Sequence, residues 1–173
     1  MLMTSVLIFT VTRDFPDVRK GSPMLIGFGW CVLCSCRESN RPAGVDSVEA
    51  LDSEMDLADR VLWASFRRWM TAHEEPFLKW QLHEQFNNHT GLLQFCVSRN
   101  HRATVAWEML KWIAENAPGS YGLFYVHDDE DQIGAVGYGR GNADFSHEFR
   151  VHRIANGTLS EHPDPYLSPI VRL

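Results

Sequence analysis

The stretch WEMLKWIAENAPGSYGLFYVHDDED, residues 107–131, constrains the fold of this chain more than any other. It reads as a helix, a sharp stop, a strand and an acidic turn. Ala106, Met109, Leu110, Ile113 and Ala117 recur at helical spacing, while Lys111 and Glu115 form an i,i+4 pair on another face. Pro118 cannot continue the helix in regular geometry, and Gly119 suits the reversal after a helix end. Residues 121–126 are β-prone and apolar with little alternation, which predicts a central strand packed under that helix. Asp128, Asp129, Glu130 and Asp131 follow at once, with no lysine or arginine among them. A hydrophobic scaffold thus delivers concentrated negative charge to the end of a strand.

Upstream, residues 25–37 read as the first strand, with Gly27 and Gly29 allowing a neighbour to approach closely. Residues 37–44, RESNRPAG, are turn chemistry, and Asp46 with Glu49 resembles a capping box. The first helix follows, with Val48, Leu51, Met55, Ala58, Leu62, Phe66 and Trp69 as its apolar face. Asp52, Glu54, Asp56, Asp59, Arg60, Arg67 and Arg68 occupy the polar faces. Pro76 breaks the pattern. Residues 77–86 then alternate, setting Leu78, Trp80 and Leu82 against Phe77, Lys79 and Gln81. A five-residue loop over 87–91 leads into a returning strand with Leu93, Phe95 and Val97 on one face, and Asn100 is the expected cap of the central helix.

Downstream, Gly134, Gly137, Gly139 and Gly141 punctuate a loop. A phosphate cradle needs to open a helix, and this one leads into residues 145–155, which read as a strand. Asn156-Gly157 is the strongest hairpin signal in the chain. Three prolines keep the end, HPDPYLSPIVRL, out of regular structure, so it is expected to lie across the body, pinned by Tyr166, Leu167 and Ile170. The predicted class is α+β: a mostly antiparallel sheet with two helices packed on one face.

At 173 residues the chain suits one domain, and 45% apolar content argues against disorder. Residues 1–23 read as an extension outside that domain, with Met24 as its natural beginning and 24–173 as the single domain. The apolar run at 6–11 is too short to span a bilayer as a helix and lacks the flanks of a signal peptide. A net charge of -6 disfavours a nucleic-acid surface and suits a basic protein partner, and no membrane association is expected. Cys31, Cys34 and Cys36 share a short segment, but no second Cys-x-x-Cys exists. They read as free thiols in a strand, Cys31 facing away from Trp30 and Val32, which fits a reducing cytoplasm.

Catalysis is not indicated. Eight histidines are present, yet none stands in a HExxH or HxH arrangement. His147 and His152 are five apart, which in a strand places them on opposite faces. There is no GxSxG elbow. No catalytic residue, cofactor or metal is assigned. The acidic run as a metal or general-acid cluster, with nearby histidines, leaves a small metal-dependent hydrolase as one alternative; a structural or regulatory interaction module is another.

The stretch at 107–131, followed by HEFRVHRIANGTLSEHPDPYLSP, resembles the immunity 7 family of bacterial polymorphic toxin systems. The likeness rests on residues 112–125, the acidic 128–131, His147 to Phe149, and 164–169. In the first strand Gly29, Trp30, Arg37, Glu38 and Ser39 are similar to the family's opening segment, so the likeness spans about 26–170. It implies a small cytoplasmic protein, not an enzyme, that binds and neutralises a cognate toxin domain encoded nearby. Nucleases, with basic clefts, are common among such toxins. An exposed acidic segment of Asp128, Asp129, Glu130 and Asp131 would suit such a cleft, with Tyr166 beside it if the tail folds back.

Overall fold

The structure, a computed structural model, describes residues 25–35, 48–84, 90–99, 103–131 and 143–168. In chain order the elements are β1 (Leu25–Leu33), α1 (Val48–Ala72), β2 (Leu78–His83), β3 (Gly91–Arg99), α2 (Thr104–Asn116), β4 (Tyr121–Asp128), β5 (Arg150–Ala155) and β6 (Thr158–Pro163). The strands form one sheet in the order β2-β3-β1-β4-β5-β6, with every neighbouring pair antiparallel. The β2-β3 hairpin adds to one side of β1 and the β4-β5-β6 meander to the other. The fold is α+β, as the element pattern predicts.

Paired positions point to the same side of a sheet, so register sorts the two faces. Leu25, Cys31 and Leu33 of β1 lie with Leu93, Phe95 and Val97 of β3 and with Phe124 and Val126 of β4, all buried. Leu78 and Leu82 of β2 continue this face, as their alternation predicts. Both helices cover it. α1 supplies Leu62, Trp63, Phe66 and Met70, and α2 supplies Ala106, Met109, Leu110 and Ile113. Each large side chain so buried is worth about 1.5–3 kcal/mol. Phe66 ties the layers together, its ring 5.6 Å from both Trp80 and Trp112. Gly27 is required for this packing, because the Phe124 ring comes within 2.6 Å of where a Cβ would stand.

Several local expectations are corrected. α1 is rotated from the predicted face: Trp63 and Met70 are buried, while Met55, Ala58 and Trp69 are only half-buried. Asp59, assigned to a polar face, is buried, and its Oδ1 accepts the Ser35 N–H at 2.6 Å. The chain leaving β1 passes over the helix, and its backbone donors need acceptors there. The Trp63 indole makes the reciprocal link, donating from Nε1 to the Leu33 carbonyl at 3.1 Å. α2 buries the expected face, but its N-cap is Ala103, with no side-chain cap bond. Ala103 is wholly buried and its carbonyl accepts the Ala106 N–H at 3.1 Å, so packing sets the start of this helix.

β5 begins at Arg150, and 145–149 are irregular, with a turn and a bend at 146–148, not the expected strand. The ladder of β4 with β5 ends at Val126 opposite Arg150, and the backbone before it bonds to turns instead, Phe145 N–H to the Asp131 carbonyl and Phe149 N–H to the Ser168 hydroxyl. Asn156 and Gly157 turn the hairpin with φ of 58° and 68°, both positive as a type I′ turn demands. The leader at 1–23 with Met24, the turn at 37–44, Asp46, Asn100, the glycine-punctuated loop at 134–141 and Ile170 lie outside the described residues.

Candidate functional site

The acidic run caps β4 at one end of the sheet, and the fold divides it. Asp128 pairs with Leu25, so its side chain points to the helix-covered side, where it is only 6% exposed. Its Oδ1 accepts the Glu130 N–H at 3.0 Å, and its carbonyl accepts the Asp131 N–H at 3.1 Å. These two bonds bend the chain so that Asp131 returns inward and is 3% exposed. The Asp131 carbonyl then accepts the Phe145 N–H at 2.8 Å, which fixes the far side of the turn. Asp129 and Glu130 are left half-exposed. The expectation of four exposed carboxylates is corrected, because the register of β4 and the side-chain turn at Asp128 together draw two of them inward.

The inward pair borders a cavity of about 230 Å³ between the first turn of α2 and the ends of β4, β5 and β6. Trp107, Val126, Phe145 and Leu159 supply apolar walls, and Glu148 and Glu161 add two more carboxylates. Arg150 is the cation among them. Its Nε lies 2.8 Å from Glu161, and its guanidinium sits 4.1 Å above the centre of the Phe145 ring. His152, buried, accepts the Trp107 indole N–H on Nε2 at 3.3 Å. An accepting Nε2 leaves the imidazole neutral, with its proton on Nδ1. The cavity is smaller than sites that enclose drug-sized ligands. Among the described residues no group of three His, Cys, Asp or Glu is arranged to hold a metal ion.

Tyr166 lies on a turn that follows β6 and reaches the same end of the sheet. Ser168 anchors that turn by accepting the Phe149 N–H at 3.1 Å. Tyr166 does not line the cavity; it is 83% exposed, and Leu167 is exposed beside it. The expectation that these two side chains pin the tail is therefore corrected. Asp164 pins it instead, its carboxylate accepting the N–H groups of Tyr166, Leu167 and Ser168. Burial works to raise the Asp164 carboxyl, but these backbone donors and the Ser168 hydroxyl outweigh it and hold it below its ordinary value.

The other face of the sheet was not singled out from the sequence. Ile26, Phe28 and Trp30 of β1 are exposed, as is Tyr121 of β4. Phe28 stacks on Tyr125 at 5.5 Å, and Trp30 meets Tyr121 edge-on at 6.2 Å. The available signal was the alternation in β1, where small or buried Leu25, Gly27, Gly29 and Cys31 interleave with Ile26, Phe28 and Trp30. Cys31 points away from Trp30 and Val32, as expected, and the structure puts that side in the core, where burial pushes its thiol far up. Cys96 is exposed on the open face, in register with Phe28.

A sequence model described as Immunity protein 7 matches residues 77–173, more than half of the chain. This chain belongs to the immunity protein 7 family. No curated protein and no solved structure matches it. The matched region carries β2 to β6 and α2, including the acidic turn and the Asp164 turn; β1 and α1 lie before it. Family membership implies an immunity protein of a toxin system, with a toxin as its binding partner and a non-enzymatic role. Among the described residues of this immunity protein, no helix is long and apolar enough to cross a membrane.

Proposed function

We propose that this immunity protein acts in the cytoplasm of a bacterium, binding a cognate toxin domain encoded beside it and blocking its activity by occupation. The family match carries this reading. Within it, the acidic end of the sheet meets a basic surface of the toxin, such as the substrate cleft of a nuclease. Asp129 and Glu130 are the half-exposed pair that steers approach, Asp128 and Asp131 add field from inside the turn, and Tyr166 offers an apolar contact on the neighbouring turn. Four carboxylates in succession raise the encounter rate with a cationic partner more than they raise the lifetime of the complex.

Binding kinetics against the adjacent-locus toxin test this. Asp129→Asn with Glu130→Gln keeps size while removing two charges. The association rate is expected to fall at low salt, and the difference from wild type to shrink as salt screens it. Extending the change to Asp128→Asn and Asp131→Asn deepens the effect in a chain still folded by circular dichroism. Unchanged rates and full protection of toxin-expressing cells by the folded quadruple variant would return the run to ordinary solvated surface.

A further inference from the structure

The helices cover one face of the sheet, and the other carries an aromatic patch at its centre. Phe28 is 46% exposed, Trp30 41% and Tyr121 52%, on the two middle strands β1 and β4. These rings are already fixed against one another, Phe28 on Tyr125 with planes 9° apart and Trp30 edge-on to Tyr121 at 87°. Rings held in place by a sheet lose little freedom when a partner covers them. The face is also selective in charge. Exposed Lys79 stands in the row of Phe28, exposed Arg153 in the row of Trp30, and no described strand position on this side carries Asp or Glu. That is uneven for a chain with 22 acidic residues. An aromatic centre depleted of carboxylates is the composition of an interface core.

We propose that this open face seats the toxin domain, and that the toxin meets it with an apolar patch bordered by carboxylates. The proposal rests on the reading that a toxin is the partner, and it moves the centre of the interface away from the acidic turn. Two copies of this chain stacked face to face would oppose Lys79 and Arg153 to like charges. A partner with carboxylates opposite those two cations gains attraction where a second copy meets repulsion. The acidic turn lies at the end of this face, since β4 runs from Tyr125 through His127 toward half-exposed Asp129 and Glu130 just past its end. It then forms the rim, which sets the approach, while Phe28, Trp30, Tyr121 and Tyr125 hold the docked complex.

Cys96, exposed and in register with Phe28, reports on the face without any substitution there. The full chain, free and bound to the adjacent-locus toxin, is labelled with a maleimide, and modification of Cys96 is followed by peptide mass spectrometry. Labelling is expected to slow roughly tenfold or more in the complex. In parallel, Trp30→Thr and Arg153→Glu, checked for folding by circular dichroism, are expected to weaken binding roughly tenfold or more, mainly through faster dissociation. Tight binding by wild type with unprotected Cys96 and unaffected variants overturns this inference and leaves the toxin-binding reading standing. No binding by wild type overturns that reading and this inference together. A free chain that sediments as a dimer with Cys96 already protected overturns it in favour of self-association. A monomeric free chain with protected Cys96 overturns it in favour of coverage by the chain itself.

Discussion

Replacing Trp63 tests how α1 is locked onto the sheet. Its indole is 1% exposed, its Nε1 donates to the Leu33 carbonyl at the end of β1, and it fills the space beside Gly91 on β3. Trp63→Phe removes the donor to a buried carbonyl, which costs about 1–3 kcal/mol. The smaller ring leaves a void that adds on the order of 1 kcal/mol, so about 2–4 kcal/mol is expected in all. Gly91→Ala attacks the same contact from the other side. A Cβ there would stand 2.6 Å from the Trp63 Nε1 and 2.8 Å from its Cε2, an overlap that costs about 1–3 kcal/mol. The two changes should couple, because the phenyl ring lacks the pyrrole atoms that the new methyl meets. In denaturant unfolding followed by circular dichroism, Gly91→Ala is expected to cost about 1 kcal/mol less in the Trp63→Phe background. Additive costs, or a neutral Gly91→Ala in the wild-type background, would refute this account of the α1 contact.

On α2, Met109→Ala and Ile113→Ala should each cost about 2–5 kcal/mol, since both side chains are wholly buried, whereas exposed Lys111→Ala should cost about 0.5 kcal/mol or less in the same assay. The lowered Asp164 carboxyl contributes stability above its unfolded value of 3.8 and loses it as pH falls through the lower folded value. Asp164→Asn should therefore flatten the acid limb of a melting-temperature profile against pH below about 4 and release the Tyr166 turn to proteolysis. A chain beginning at Met24 is expected to melt with the full-length protein and to keep its toxin binding. A loss of several degrees on truncation would put residues 1–23 inside the domain.

Much of the frame was legible because it depends on local periodicity. The burial of Ala106, Met109, Leu110 and Ile113 followed from helical spacing, and Leu93, Phe95 and Val97 from strand alternation. Asn156-Gly157 specified its own turn, since Asn and Gly tolerate the positive φ that the hairpin requires. Asp59 was not legible. Its burial depends on Ser35, 24 residues away, bringing an unsatisfied N–H to the helix. The start of β5 also depends on a distant element, because a strand ends where its neighbour stops pairing.

The candidate site shows the same division. The sequence by itself determined that four carboxylates follow a buried strand and that two helices would cover a sheet, for charge and periodicity are written residue by residue. It could not tell which carboxylates would face outward. That was decided by the register of β4 against β1, which sets Asp128 beside Leu25, and by the backbone bonds that bring Asp131 in after it. Nor could it tell that Phe28 would stack on Tyr125, 97 residues along the chain, because β1 enters the middle of the sheet only when both halves of the chain have paired with it. Alternation assigns a side chain to one of two faces, but only the assembled helices decide which face is covered and which is left exposed.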